Sequence, residues 1–153
     1  MHNAEQADSG TLVIPAHFPD PTAGHTQRHG ATYRFASDES RRQFITNPDR
    51  YAPQFGGFSA QAMAYAVPVP ADASTFKIID GKLYLFENPR AKLYFEMDQE
   101  RNLNLARQYW ESEVQDSNWR FQSMKRMVLR VPNYKTDNEL AEEYQRRFGR
   151  KPG

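Results

Sequence analysis

The chain has 153 residues, no cysteine and a formal net charge of +1, with 39% hydrophobic, 13% aromatic and 25% charged residues. That length can bury one core, or one core with a helical appendix. The lack of cysteine excludes disulfides, iron–sulfur clusters and thiolate metal sites, and the near-neutral balance argues against a strong general attraction to nucleic acid.

Mean hydropathy is −0.86, and no apolar run approaches the ~20 residues needed to cross a bilayer, so no membrane partner is expected. Residues 1–10 have the composition of a disordered leader. The apolar run that follows, Leu12 to Ile14, is too short for a signal-peptide core. The plain expectation is a cytoplasmic protein, although removal of a leader before Met1 would leave an exported one looking the same.

Thr11 to Ala16 predicts a first strand, and Pro19, Pro21 and Gly24 a loop. His25 to Arg28 then pairs with Ala31 to Phe35 around His29-Gly30, with Tyr33 and Phe35 alternating against Thr32 and Arg34 as in a half-buried strand. Ser37 stands where a helix cap belongs, Asp38 and Glu39 follow at the positive end of the dipole, and Phe44 and Ile45 supply the buried face. Asn47-Pro48 ends that helix. A short turn, Pro48 to Tyr51, leads to Pro53 and the Gly56-Gly57 pair.

Phe58 to Ala66 is rich in small residues and predicts a short buried helix, stopped by Pro68 and Pro70. Phe76 to Ile79 and Lys82 to Phe86 flank Asp80-Gly81, a strong hairpin signal. A long helix is expected from Pro89, with one apolar stripe through Ala91, Tyr94, Phe95, Leu105, Ala106, Tyr109, Trp110 and Val114 and a polar interruption at Asp98 to Asn102. Trp119, Phe121, Met124, Met127, Val128 and Leu129 continue an apolar pattern. The last helix fits Thr136 to Phe148, opened by the capping box Thr136-x-x-Glu139 and closed by Gly149.

Several of these stretches, in this order, resemble the YHS domain family. Tyr33-Arg34-Phe35-Ala36-Ser37 is similar to its aromatic strand stepping into a helix, and Asn47-Pro48-Asp49-Arg50-Tyr51 to its DP-x-x-Y turn. Pro53-Gln54-Phe55-Gly56-Gly57-Phe58 is similar to its P-x-Y-G-G-aromatic segment, and Asp80-Gly81-Lys82-Leu83-Tyr84-Leu85 to its hairpin. The likeness spans roughly residues 11–119. It implies a small α+β fold of short antiparallel hairpins packed on helices, and residues 120–153 read as an added helical extension. Metal-binding relatives carry cysteines where Ala36 and Ser40 stand here, and many exported relatives have one where Ser59 stands, so the family's thiolate chemistry does not transfer.

Candidate chemistry is correspondingly sparse. A serine nucleophile needs an oriented base, yet Ser59 lacks a G-x-S-x-G frame and all four histidines lie in the first 29 residues. Ser59 therefore reads as a helix-start hydroxyl. The rings Tyr33, Tyr51, Phe55, Phe58 and Tyr84 read as a core beneath the sheet. The alternative is a small pocket in which Tyr33, Tyr51, Phe58 and Tyr84 form walls and Arg34 and Ser59 give polar contacts. No cofactor is required, but His17, His25 and His29 form a candidate copper or zinc site without thiolate. The carboxylates of Glu111 and Glu113, and of Glu142 and Glu143, read as exposed helix faces.

From Arg120 onward nine Lys or Arg stand against four Asp or Glu, a balance of +5 that leaves −4 on residues 1–119. This polarity suits either a tail docked on its own acidic body or contact with a protein partner through the extension. The basic group Arg146, Arg147, Arg150 and Lys151 has only Tyr144 and Phe148 as neighbouring rings, a weak nucleic-acid signal. The expectation is a noncatalytic YHS-like binding or accessory module. A histidine-based metal protein is the alternative, and a small hydrolase or transferase a third.

Overall fold

The computed structural model describes the backbone at 14–15, 25–28 and 31–34 and residues 37–153. The expected leader at 1–10, the loop at Pro19 to Gly24, His17 and the His29-Gly30 turn lie outside the described residues. So does most of the expected first strand.

The fold is α+β, as expected. Strands β1 (Ile14–Pro15), β2 (His25–Arg28) and β3 (Ala31–Arg34) form an antiparallel sheet in the order β1-β3-β2, with His25 opposite Arg34 and Arg28 opposite Ala31. Helix α1 (Asp38–Thr46) starts directly after Ser37, whose carbonyl accepts the Arg41 N–H at 3.2 Å. Phe44 is buried, whereas Ile45 is 51% exposed and does not share the inward face expected of it. Adjacent helical residues differ by roughly 100° in direction, and Phe44 has taken the inward one.

Helix α2 (Pro48–Tyr51) and a 3₁₀ turn (Gln54–Gly57) follow. Phe55, Gly56 and Gly57 all have positive φ, so the chain reverses tightly while placing Phe55 in the core. Helix α3 (Ala60–Met63) is shorter than the expected 58–66 helix. After Met63 the chain turns out of the helix, with Ala66 at φ 59, although the segment is buried as expected.

Strand β4 (Asp72–Ile79) begins earlier than Phe76, with an irregularity between Asp72 and Phe76, and pairs with β5 (Lys82–Phe86). Asp80 and Gly81 make the turn, at φ 52 and 73. Asn88 caps α4 (Pro89–Met97), its side-chain oxygen accepting the Ala91 N–H at 2.8 Å. The expected polar break is one residue wide. Asp98 leaves the helical region at φ −140, and α5 (Gln99–Tyr109) restarts at once. The buried Asn102 donates to the freed Phe95 carbonyl at 3.0 Å.

A π-helical segment (Trp110–Val114) closes this arm, followed by α6 (Trp119–Val128) and α7 (Asp137–Phe148). The α7 capping box is complete and Gly149 ends the helix at φ 67. The main core joins Phe55, Met63, Ile79, Tyr84, Phe86, Phe95, Leu103 and Val114, from the 3₁₀ turn, α3, the β4–β5 hairpin, α4, α5 and the π-helical segment. A second cluster, Tyr94 with Leu140 and Tyr144, fastens α7 to α4. Arg147 reinforces it with hydrogen bonds to Met97 O at 3.0 Å and to the Asp98 carboxylate. The terminal helix thus docks on the body of its own chain.

Among the described residues no helix is long and apolar enough to cross a membrane.

Candidate functional site

Of the residues expected to line a ring-walled pocket, Tyr51, Phe58, Ser59 and Tyr84 have described side chains, and each meets different partners. Tyr33 and Arg34 lie in β3. Tyr84 is buried in the main core, its ring 5.6 Å from Phe55 and its hydroxyl accepting from Arg107 at 3.0 Å. Phe58 is half-buried and packs on Trp119 at 6.5 Å. Tyr51 is half-buried with Arg50 over its ring.

Ser59 caps α3 as expected, accepting from Ala62 N at 3.5 Å, and also donates to the Glu87 carboxylate. Its exposure is 0%, so no substrate reaches its hydroxyl. Of the three candidate metal ligands, His25 belongs to β2, while His17 and His29 lie outside the described residues. Among the described residues no three His, Cys, Asp or Glu side chains gather to hold a metal ion.

A different cleft does form, of about 270 Å³, where α3 and the turn after it face the start of α4 and the chain leading into α7. Its walls include Gln61, Tyr65, Glu87, Tyr94, Arg130, Tyr134, Lys135 and Asp137. Tyr65 and Tyr134 meet edge to face at 5.2 Å, and Arg130 lies 4.1 Å above the Tyr134 ring. The approach of the 130–137 segment is fixed by Asn133, which donates to Ala64 O at 2.9 Å and accepts from the Tyr109 hydroxyl at 2.9 Å.

Behind this lining Gln61 Oε1, on a residue 4% exposed, is closed to solvent and has no hydrogen-bond partner, and the Tyr94 hydroxyl, on a residue 3% exposed, is closed off beside Asp137 and Arg90. Burial pushes the Glu87 carboxyl above its usual range and the Tyr65 hydroxyl up to about 12. Burial, then the nearby Asp137 carboxylate, also raises Tyr94. The lining therefore combines tyrosine rings with two cations, Arg130 and Lys135, and the carboxyl groups of Glu87 and Asp137.

Among the described side chains, none of those singled out from the ring pattern lines this cleft. Gln61 carried a faint signal, as the one amide in a run of small and apolar residues from Ser59 to Ala66. Tyr94 was counted only as part of a buried stripe, and Arg130 to Asp137 belong to the extension.

Two carboxylates read as exposed faces have structural partners instead. Glu113 binds Lys125 at 3.0 Å, Gln122 at 3.2 Å and also Arg126, while Glu143 pairs with Lys135 and Arg147.

Comparison with protein-family models, curated proteins and solved structures found no match to this chain.

Proposed function

We propose that the chain is a noncatalytic binding module on a YHS-like scaffold, and that it takes a small polar molecule in the cleft between α3, α4 and the 130–137 segment. The observation that carries the reading is the cleft's lining, which sets the Tyr65 and Tyr134 rings and the charged Arg130, Lys135 and Asp137 around one opening. A small polar molecule meets cations, a carboxylate and ring faces there at once.

The volume of about 270 Å³ falls just below the roughly 300–1,000 Å³ of drug-sized sites. That favours something the size of an amino acid or a monosaccharide. The noncatalytic part of the reading rests on Ser59, whose enclosed hydroxyl is spent on the α3 cap and Glu87. The scaffold part rests on the order of elements, in which an aromatic strand, a helix, a Gly-Gly reversal and an Asp-Gly hairpin follow one another as in the family.

The test is a titration of the isotopically labelled full chain with a panel of amino acids, monosaccharides and small polyols, followed by NMR. The reading expects at least one compound to shift the Gln61 side-chain amide and the Tyr94 ring together at millimolar concentration or below. It is overturned if no compound moves those signals, or if the responding signals lie elsewhere.

A further inference from the structure

Helix α6 is built inside out. Gln122 and Arg126, spaced i, i+4, turn inward: Gln122 is 2% exposed and donates to Ala66 O at 3.2 Å, and both bind Glu113. Phe121, Met124 and Val128, spaced i, i+3, i+7, share the opposite face and are 61%, 59% and 78% exposed. Globular proteins ordinarily bury such side chains and rarely expose contiguous apolar patches, which mark sites of association.

We propose that this face seats the protein on a lipid surface rich in anionic headgroups, as a peripheral contact and not as a span. Charge selects that occupant. From Ser117 to Thr136 there are five Lys or Arg and no Asp or Glu. Lys125 and Arg126 share the one Glu113 carboxylate, and Lys135 pairs with Glu143. Among the described residues Arg120 and Arg130 pair with no carboxylate, and they lie against the rings of Trp119 and Tyr134.

A short helix with protruding apolar side chains, a tryptophan at one end and free guanidinium groups at both ends matches the interface of a bilayer. There the rings and aliphatic chains sit below the headgroups and the cations meet phosphate. A second copy fits less well. Antiparallel pairing of two α6 faces sets Arg120 against the other Arg130, and parallel pairing sets each against itself.

The experiment is co-sedimentation of the full chain with vesicles of phosphatidylcholine alone and of phosphatidylcholine mixed with phosphatidylglycerol, at low and high salt. Binding is expected only to the anionic vesicles and should weaken with salt. Phe121→Ser with Val128→Ser should lower it by about tenfold or more, and Arg120→Glu by about tenfold. These exposed positions leave the circular dichroism spectrum and Tm close to those of the parent. Equal binding of the double variant, or no binding to anionic vesicles, overturns the proposal. So does a concentration-dependent dimer in light scattering that the same double variant abolishes, because the face then belongs to a second copy. Saturable binding of an acidic peptide in the absence of any vesicle binding would likewise give the face to a protein partner.

Discussion

Ser59 donates a hydrogen bond to Glu87 across 28 residues of chain, tying the first turn of α3 to the end of β5. Burial raises the Glu87 pKa above 4.5, so the folded state holds its proton to higher pH than the unfolded chain. Below 4.5 both states are protonated and nothing is lost. As pH rises from there through the raised folded value, the unfolded chain ionises first and stability falls. Glu87→Gln removes this dependence while still offering Ser59 an acceptor. Urea midpoints measured from acid to neutral pH should show the variant gaining on the parent as pH rises. Parallel curves would contradict the account.

Glu113 has the opposite sign. Burial alone would raise its pKa, but hydrogen bonds from Lys125, Arg126 and Gln122 outweigh that and hold it below 4.5. Its contribution is present above 4.5 and is lost as pH falls through the depressed folded value. Glu113→Gln should cost about 1–3 kcal/mol at neutral pH, because the Arg126 guanidinium loses its counter-charge in a half-enclosed site. That deficit should shrink in acid. A constant deficit at every pH would mean the carboxylate acts through shape and not charge.

Gly56 and Gly57 both have positive φ, at 61 and 86, but they differ in surroundings. A Cβ on Gly56 would sit 3.2 Å from the Trp110 ring, whereas one on Gly57 would meet nothing within 4 Å. Each Gly→Ala change carries a backbone cost of about 1–2 kcal/mol. Gly56→Ala should be worse by about 1 kcal/mol, since the indole packs on the core and yields reluctantly. Chemical denaturation of the two variants side by side measures the difference.

Arg147 binds Asp98 at the corner between α4 and α5, and also Glu143. The contact is partly exposed, so Arg147→Ala should cost only about 0.5–1.5 kcal/mol, and less in high salt. Hydrogen exchange should register the loss first in α7 and at the Asp98 corner. Faster exchange confined to the β4–β5 hairpin would not fit.

What the sequence disclosed was mostly local chemistry. Asp80-Gly81 specifies a turn that other residue pairs rarely make, and the Thr136–Glu139 box with Gly149 marks both ends of α7 without reference to anything distant. Ser59 was legible for the same reason. Facing was harder, because apolar spacing defines a stripe but not what covers it. On α1, Phe44 and Ile45 could not both point inward. On α6 the polar side won the interior because Glu113 and Ala66 O offered partners that the spacing of Phe121, Met124 and Val128 could not reveal. The cleft was illegible because it joins α3 to residues some 70 positions later through Asn133, whose bond to Ala64 O spans 69 residues.

The central claim is that the cleft between α3, α4 and the 130–137 segment takes a small polar molecule. Thermal unfolding of the full chain with each amino acid, monosaccharide and polyol of the panel measures this most directly, since a compound that binds only the folded state stabilises it by mass action. At about 100 times its dissociation constant such a compound adds about 2.7 kcal/mol, and Tm should rise by about 5–11 °C, but by less in Tyr134→Ala, which loses one wall of the cleft. No rise with any compound, or an equal rise in that variant, would contradict the account.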